Sequence, residues 1–135
     1  LLGLQFPAGK ALDALSAQAE KVKPFPVKVE NCTFSLSGME NKVKQMAEKG
    51  EAPETVARFA LETVARAVVK ATRQALERFP GLPVLCSGGV ASNSLLRQVM
   101  ERECGAIFAQ PRFSTDNAMG TAILTWRALE RERTQ

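Results

Sequence analysis

The chain has 135 residues, 45% apolar and 24% charged, with a net charge of +4 and an isoelectric point near 9.2. That length can bury one core, and no apolar run approaches the roughly 18–20 residues needed to span a bilayer. Histidine is absent, which removes the commonest general base and metal ligand. Cys32, Cys86 and Cys104 form no C-x-x-C pair, arguing against a zinc site or disulfide framework and for a reducing cytoplasm. The basic balance permits a nucleic-acid partner without requiring one.

The opening LLGLQFPAGK has no basic-then-apolar leader pattern, so the stretch itself does not read as a signal peptide, and with no initiator Met the chain is expected to be a fragment. Gly9–Glu20 sets Leu12, Leu15 and Ala19 on one helical face. KPFPVKVENCTF, with Pro24 and Pro26, reads as a loop leading into a strand. Ser37 and Glu40 have capping-box spacing ahead of a helix whose buried stripe is Val43, Met46 and Ala47 and whose stop is Gly50.

The longest predicted helix runs from Pro53 to Phe79. Pro53 stands in its first turn, and Val56, Phe59, Ala60, Val64, Ala67, Val68, Ala71, Ala75 and Leu76 recur at helical spacing. Val84–Ser87 is a predicted strand, Asn93–Glu103 a helix, Ala106–Ala109 a strand and Thr115–Arg131 a terminal helix. Strand, glycine turn, helix, strand, loop, helix is the order of an α/β unit with parallel strands. About three strands make a small sheet with a poorly covered edge, for which cover is expected from a missing segment, a protein partner or a homo-oligomer.

VLCSGGVASNSLLR carries the sharpest local signal. A strand ending in Gly88-Gly89 and feeding a helix presents backbone N–H groups and a positive dipole end, suited to an anion or a planar ring. The spacing is neither G-x-G-x-x-G nor a P-loop, so a nucleotide site and a plain tight turn both remain open. Asn93 is equally a helix cap or a ligand contact. Asp116, in FSTDNAMGTAIL, is either an acid favoured by a helix dipole or a ligand at the rim of the sheet. Cys86 reads as a small core residue.

Four ordered segments carry a resemblance. LLGLQFPAGKALD resembles an LLGL-Y-P-G-G-P segment and CTFSLSGMENKV an F-S-F-S-G-L-K-T segment. SGGVASNSLLR and QPRFSTDNAMGTAI resemble the two C-terminal signatures of the tRNA adenosine threonylcarbamoyltransferase family, also called O-sialoglycoprotein endopeptidases or glycoproteases. The resemblance covers essentially the whole chain but only the C-terminal half of a family member. It implies a helix-rich part of the second lobe of an actin/hexokinase-like ATPase fold. Residues 1–135 would form a single lobe fragment, with a ligand-contacting segment at 1–20, a helical insertion at 31–80, and the nucleotide and metal segments within 84–131.

In that family Gly88, Gly89 and Asn93 would line an adenine-nucleotide pocket that Gly9 and Asp13 also contact. Asp116 would join two histidines of the absent N-terminal lobe around iron or another divalent metal. The implied reaction moves a threonylcarbamoyl group from its adenylate to the exocyclic amine of a tRNA adenosine, with Lewis-acid assistance from the metal. Without the other lobe the fragment is expected to be inert. Ala8 stands where the family has glycine, and Glu40 where it has lysine, which keeps a non-catalytic paralogue, binding a nucleotide or a protein partner, as the alternative. A metallopeptidase is the third reading, and nothing in these residues supplies its base.

Overall fold

The computed structural model describes residues 2–110 and 118–133. Its elements are α1 (Gly9–Ser16), β1 (Val29–Glu30), β2 (Thr33–Phe34), α2 (Ser37–Glu48), α3 (Pro53–Arg78), β3 (Leu85–Cys86), a 3-10 turn (Val90–Ser92), α4 (Ser94–Cys104), β4 (Ile107–Phe108) and α5 (Ala118–Arg133). Proline at the start of α3 costs nothing there, because the first-turn N–H groups have no helical partner. The helix then runs 26 residues, about 39 Å at 1.5 Å per residue.

Helix α3 is the element the neighbouring helices share. Helices α1, α2 and α4 all pack on it. One apolar cluster joins Ala65 and Val69 of α3 to Leu95, Leu96, Val99 and Met100 of α4, with Cys86 and Phe108 against it. A second joins Met46 of α2 to Val56 and Phe59. Contact on several sides explains why Ala57, Glu62, Thr63, Ala65 and Val69 are buried, although none of them lies in the stripe expected from the sequence. Thr63 is accommodated by donating to the Phe59 carbonyl oxygen at 2.7 Å and accepting from the Phe25 N–H at 3.0 Å. Glu62 accepts two bonds on Oε1 from the Arg58 guanidinium, at 2.8 and 3.1 Å.

The expected α/β order holds, with β3 and β4 parallel. Ile107 N–H donates to Val84 O at 2.8 Å and Ala109 N–H to Cys86 O at 3.0 Å. Alternation puts Cys86 and Phe108 on the core side and leaves Leu85 and Ile107 outward, 72% and 59% exposed. Each strand is shorter than predicted by one residue at each end.

Three local expectations need correction. The first helix ends at Ser16, four residues early. Ser37 begins α2 but caps nothing: the residue before it is Leu36, and the Ser37 N–H instead donates to Ser35 Oγ at 3.3 Å. The segment before α2 is a complete antiparallel hairpin, Val29 opposite Phe34 and Glu30 opposite Thr33. Its turn places Asn31 and Cys32 at positive φ, 51° and 63°, as two-residue hairpin turns require. Asn-Cys is an uncommon pair there, and α3 holds it: Gln74 Nε2 donates to Val29 O at 3.0 Å while its Oε1 accepts from Cys32 N–H at 2.9 Å. Arg78 adds a bond to Asn31 Oδ1 at 2.7 Å.

Candidate ligand site at the start of helix α4

After Cys86 the backbone turns through Gly88 at φ 102°, a conformation L side chains rarely adopt, so glycine is required there by the chain itself. Gly89 differs, lying in ordinary right-handed helical conformation at φ −60°. Apart from the adjoining residues, no described atom comes within 4 Å of a Cβ built on either glycine. Among the described residues, therefore, nothing in the chain's own packing demands glycine at Gly89.

Asn93 leaves the turn in extended conformation and caps α4, its Oδ1 accepting from the Leu96 N–H at 2.9 Å. Its amide Nδ2 donates to Asp13 Oδ1 at 2.8 Å. Asp13 also takes the Ser94 hydroxyl on Oδ1 at 2.8 Å and the Ser94 N–H on Oδ2 at 3.0 Å. The carboxylate thus meets the positive end of α4, where a negative charge is favoured. Helix α1 is the platform, and the Ser16 hydroxyl closes its last turn on Asp13 O at 2.8 Å. Gly9 lies one turn earlier on that helix, with open space where a side chain would be.

Of the six residues singled out in the sequence, the structure joins Asp13 to Asn93 and sets Gly88 and Gly89 on the turn leading to them. Asp116 lies outside the described residues. Ser94 was missed, although a hydroxyl residue directly after a capping Asn was a usable signal. Ser92, one position before that Asn, has a buried hydroxyl with no hydrogen-bond partner among the described residues. Beside Ser94, between α1, α3 and α4, is a cleft of about 360 Å³ lined by Ser16, Ala17, Arg58, Ser94, Leu95 and Gln98.

The chemistry of these groups is that of holding rather than reacting. Burial pushes the Cys86 and Cys104 thiols above their ordinary pKa, away from the thiolate form. Glu40 is held below the usual carboxylate range by a hydrogen bond and charge from Lys44, 2.7 Å away on the same helix. No group of three or more His, Cys, Asp or Glu side chains gathers among the described residues, and the chain contains no histidine. The described residues therefore do not by themselves compose a metal site.

A parallel strand that breaks at two glycines into a capped helix, with a carboxylate from another helix on the cap, defines an α/β protein with its candidate site at the carboxyl end of the sheet. A sequence model of the tRNA N6-adenosine threonylcarbamoyltransferase family matches residues 1–123, and the chain belongs to that family. It is 33% identical over 139 residues to a tRNA N6-adenosine threonylcarbamoyltransferase of Thermus thermophilus, covering 97% of this chain and 42% of the relative. It is 32% identical to that of Staphylococcus carnosus, covering 87% and 38%. With the Carboxydothermus hydrogenoformans protein it shares 38% identity, covering 73% and 31%. The chain thus spans about two-fifths of the length of the first of these relatives. Among the described residues no helix is long and apolar enough to cross a membrane.

Proposed function

We propose that this chain is the adenylate-holding lobe of a protein that forms threonylcarbamoyladenosine in tRNA. The observation that carries the reading is the Asp13–Asn93–Ser94 network at the end of the glycine turn. Asn93 has its carbonyl oxygen committed to the helix cap and one amide hydrogen committed to Asp13. Its second amide hydrogen is the group to offer a ligand, and an acceptor such as a sugar hydroxyl oxygen or a ring nitrogen suits it. Gly89 then lets the ligand rest against the backbone, while Gly9 extends the same surface from α1. The orphan hydroxyl of Ser92 supports a polar occupant close by.

In the transfer, the amine nitrogen of the tRNA adenosine bonds to the carbamoyl carbon, the bond from that carbon to the adenylate phosphate oxygen breaks, and the amine gives up a proton. This lobe's part is to fix the leaving adenylate. Asp116 is the chain's candidate contribution to a divalent metal completed by residues from outside it. The outward Leu85 and Ile107 mark where other segments of the parent protein, the N-terminal lobe first among them, would cover the sheet.

Calorimetry with AMP and ATP on the intact parent protein and on its Asn93→Ala variant tests the assignment. Binding by the parent that weakens at least tenfold in the variant is expected; equal affinities would remove Asn93 from the site. The second reading, a paralogue that binds without transfer, draws on Glu40 in place of the family lysine. Formation of threonylcarbamoyladenosine by the intact protein would rule that reading out.

A further inference from the structure

Away from the glycine turn, three arginines converge on one carboxylate. Glu103, near the end of α4, accepts on Oε1 from Arg66 Nη1 at 2.7 Å and from Arg102 Nη2 at 2.9 Å, and on Oε2 from Arg73 Nη2 at 3.0 Å. Glu103 is 14% exposed, whereas Arg73 and Arg102 are 57% and 58% exposed. One negative charge against three positive ones leaves a local surplus of two. Among the described residues each guanidinium gives the carboxylate one bond, and a guanidinium carries five N–H groups, so most donors are unspent.

A fold needing only a bridge from α3 to α4 would be served by Arg66 and Glu103. Arg73 and Arg102 add charge to that bridge and are themselves more than half exposed. They are nonetheless held in place, so less side-chain freedom is lost when they meet an anion. Arg66 and Arg73 stand two turns apart on one face of α3, about 10.5 Å. Lys70, between them, donates to Val27 O at 3.5 Å, and Glu77 trims the charge one turn further on. Charges spread over about 10.5 Å of one helix face suit a polyanion rather than a single small ion.

We propose that Arg66, Arg73 and Arg102, organised by Glu103, form a docking surface for the phosphate backbone of the tRNA substrate. This rests on the proposed reaction, which supplies the RNA. Arginine forks match phosphate oxygens in pairs. Glu103 lies ten residues from Asn93, about 15 Å along α4, so one folded RNA can touch the patch while its adenosine approaches the adenylate.

The test is binding of unmodified tRNA to the full-length protein over a range of salt concentrations, for wild type, Arg73→Gln, Arg102→Gln and the double variant, with threonylcarbamoyl transfer measured alongside. Each single change is expected to weaken binding severalfold and lower the slope of log affinity against log salt by about 1, and the double change by about 2. AMP affinity is expected to stay at the wild-type value. Unchanged tRNA affinity and slope in the variants, with wild type still modifying tRNA, overturn the docking surface and leave the transferase reading intact. A wild-type protein that neither binds nor modifies tRNA removes both.

Discussion

Asp13 and Asn93 are 80 positions apart in the chain, yet the Asn93 amide donates to the Asp13 carboxylate at 2.8 Å. The same carboxylate holds the N–H and hydroxyl of Ser94. One acidic side chain therefore joins α1 to α4, caps α4 and sets the orientation of the amide proposed to meet the ligand.

Asp13→Ala should cost about 1–2 kcal/mol of stability, the range for losing a helix cap with charge-assisted bonds. Asn93→Ala should cost about 1 kcal/mol by the same reasoning. Because the two share a bond, the double variant should lose less than the sum. A double-mutant cycle by urea denaturation of the full-length protein reads the coupling. Strict additivity would mean the bond contributes nothing.

Substitution at the two glycines should separate backbone strain from ligand contact. Gly88→Ala forces a side chain into φ 102° and should destabilise by about 1–3 kcal/mol. Gly89→Ala, at φ −60° with open space around it, should leave thermal stability near wild type while weakening AMP binding. If Gly89→Ala binds AMP normally, the ligand does not rest on that peptide.

Glu103 titrates below the usual carboxylate range, chiefly because Arg102 hydrogen-bonds its charged form, with the charges of Arg66 and Arg73 adding and partial burial opposing. A carboxylate whose folded pKa is depressed stabilises above its unfolded value, near 4.3, and loses that contribution as pH falls through the lower folded value. Glu103→Gln should therefore cost roughly 1–3 kcal/mol at neutral pH. The gap from wild type should close in acid, at pH well below about 4. Thermal unfolding at neutral and acid pH checks this, and a gap independent of pH would show that charge is not the cause.

Cys86 and Cys104 should react slowly with iodoacetamide at neutral pH in the native protein and faster after unfolding, since burial raises both thiols. Mass spectrometry resolves the sites. Rapid native labelling of Cys86 would place it outside the core cluster.

Features specified by neighbours within one turn were legible in the residues alone. Pro53 opens α3, Asn93 takes the capping role that was one of its two open readings, and the strand, double glycine and helix follow in the predicted order, because each depends on a local backbone preference. The family motifs were also legible, being contiguous strings. The Ser37 reading failed because a capping box needs the serine just outside the helix, and here Ser37 is already its first residue. The Asn31–Cys32 hairpin went unread because its turn is held by Gln74 and Arg78, more than 40 positions later.

What the sequence determined by itself was thus the order of the helices and of the strands around the glycine turn, with residues such as Pro53 that punctuate them locally. Only the tertiary structure decided which side chains meet. Asp13 on Asn93, and Arg66 and Arg73 on Glu103, form when α1 and α4 both pack against α3. Burial of that shared apolar surface brings them together, and no local pattern encodes which distant charge arrives beside which helix end.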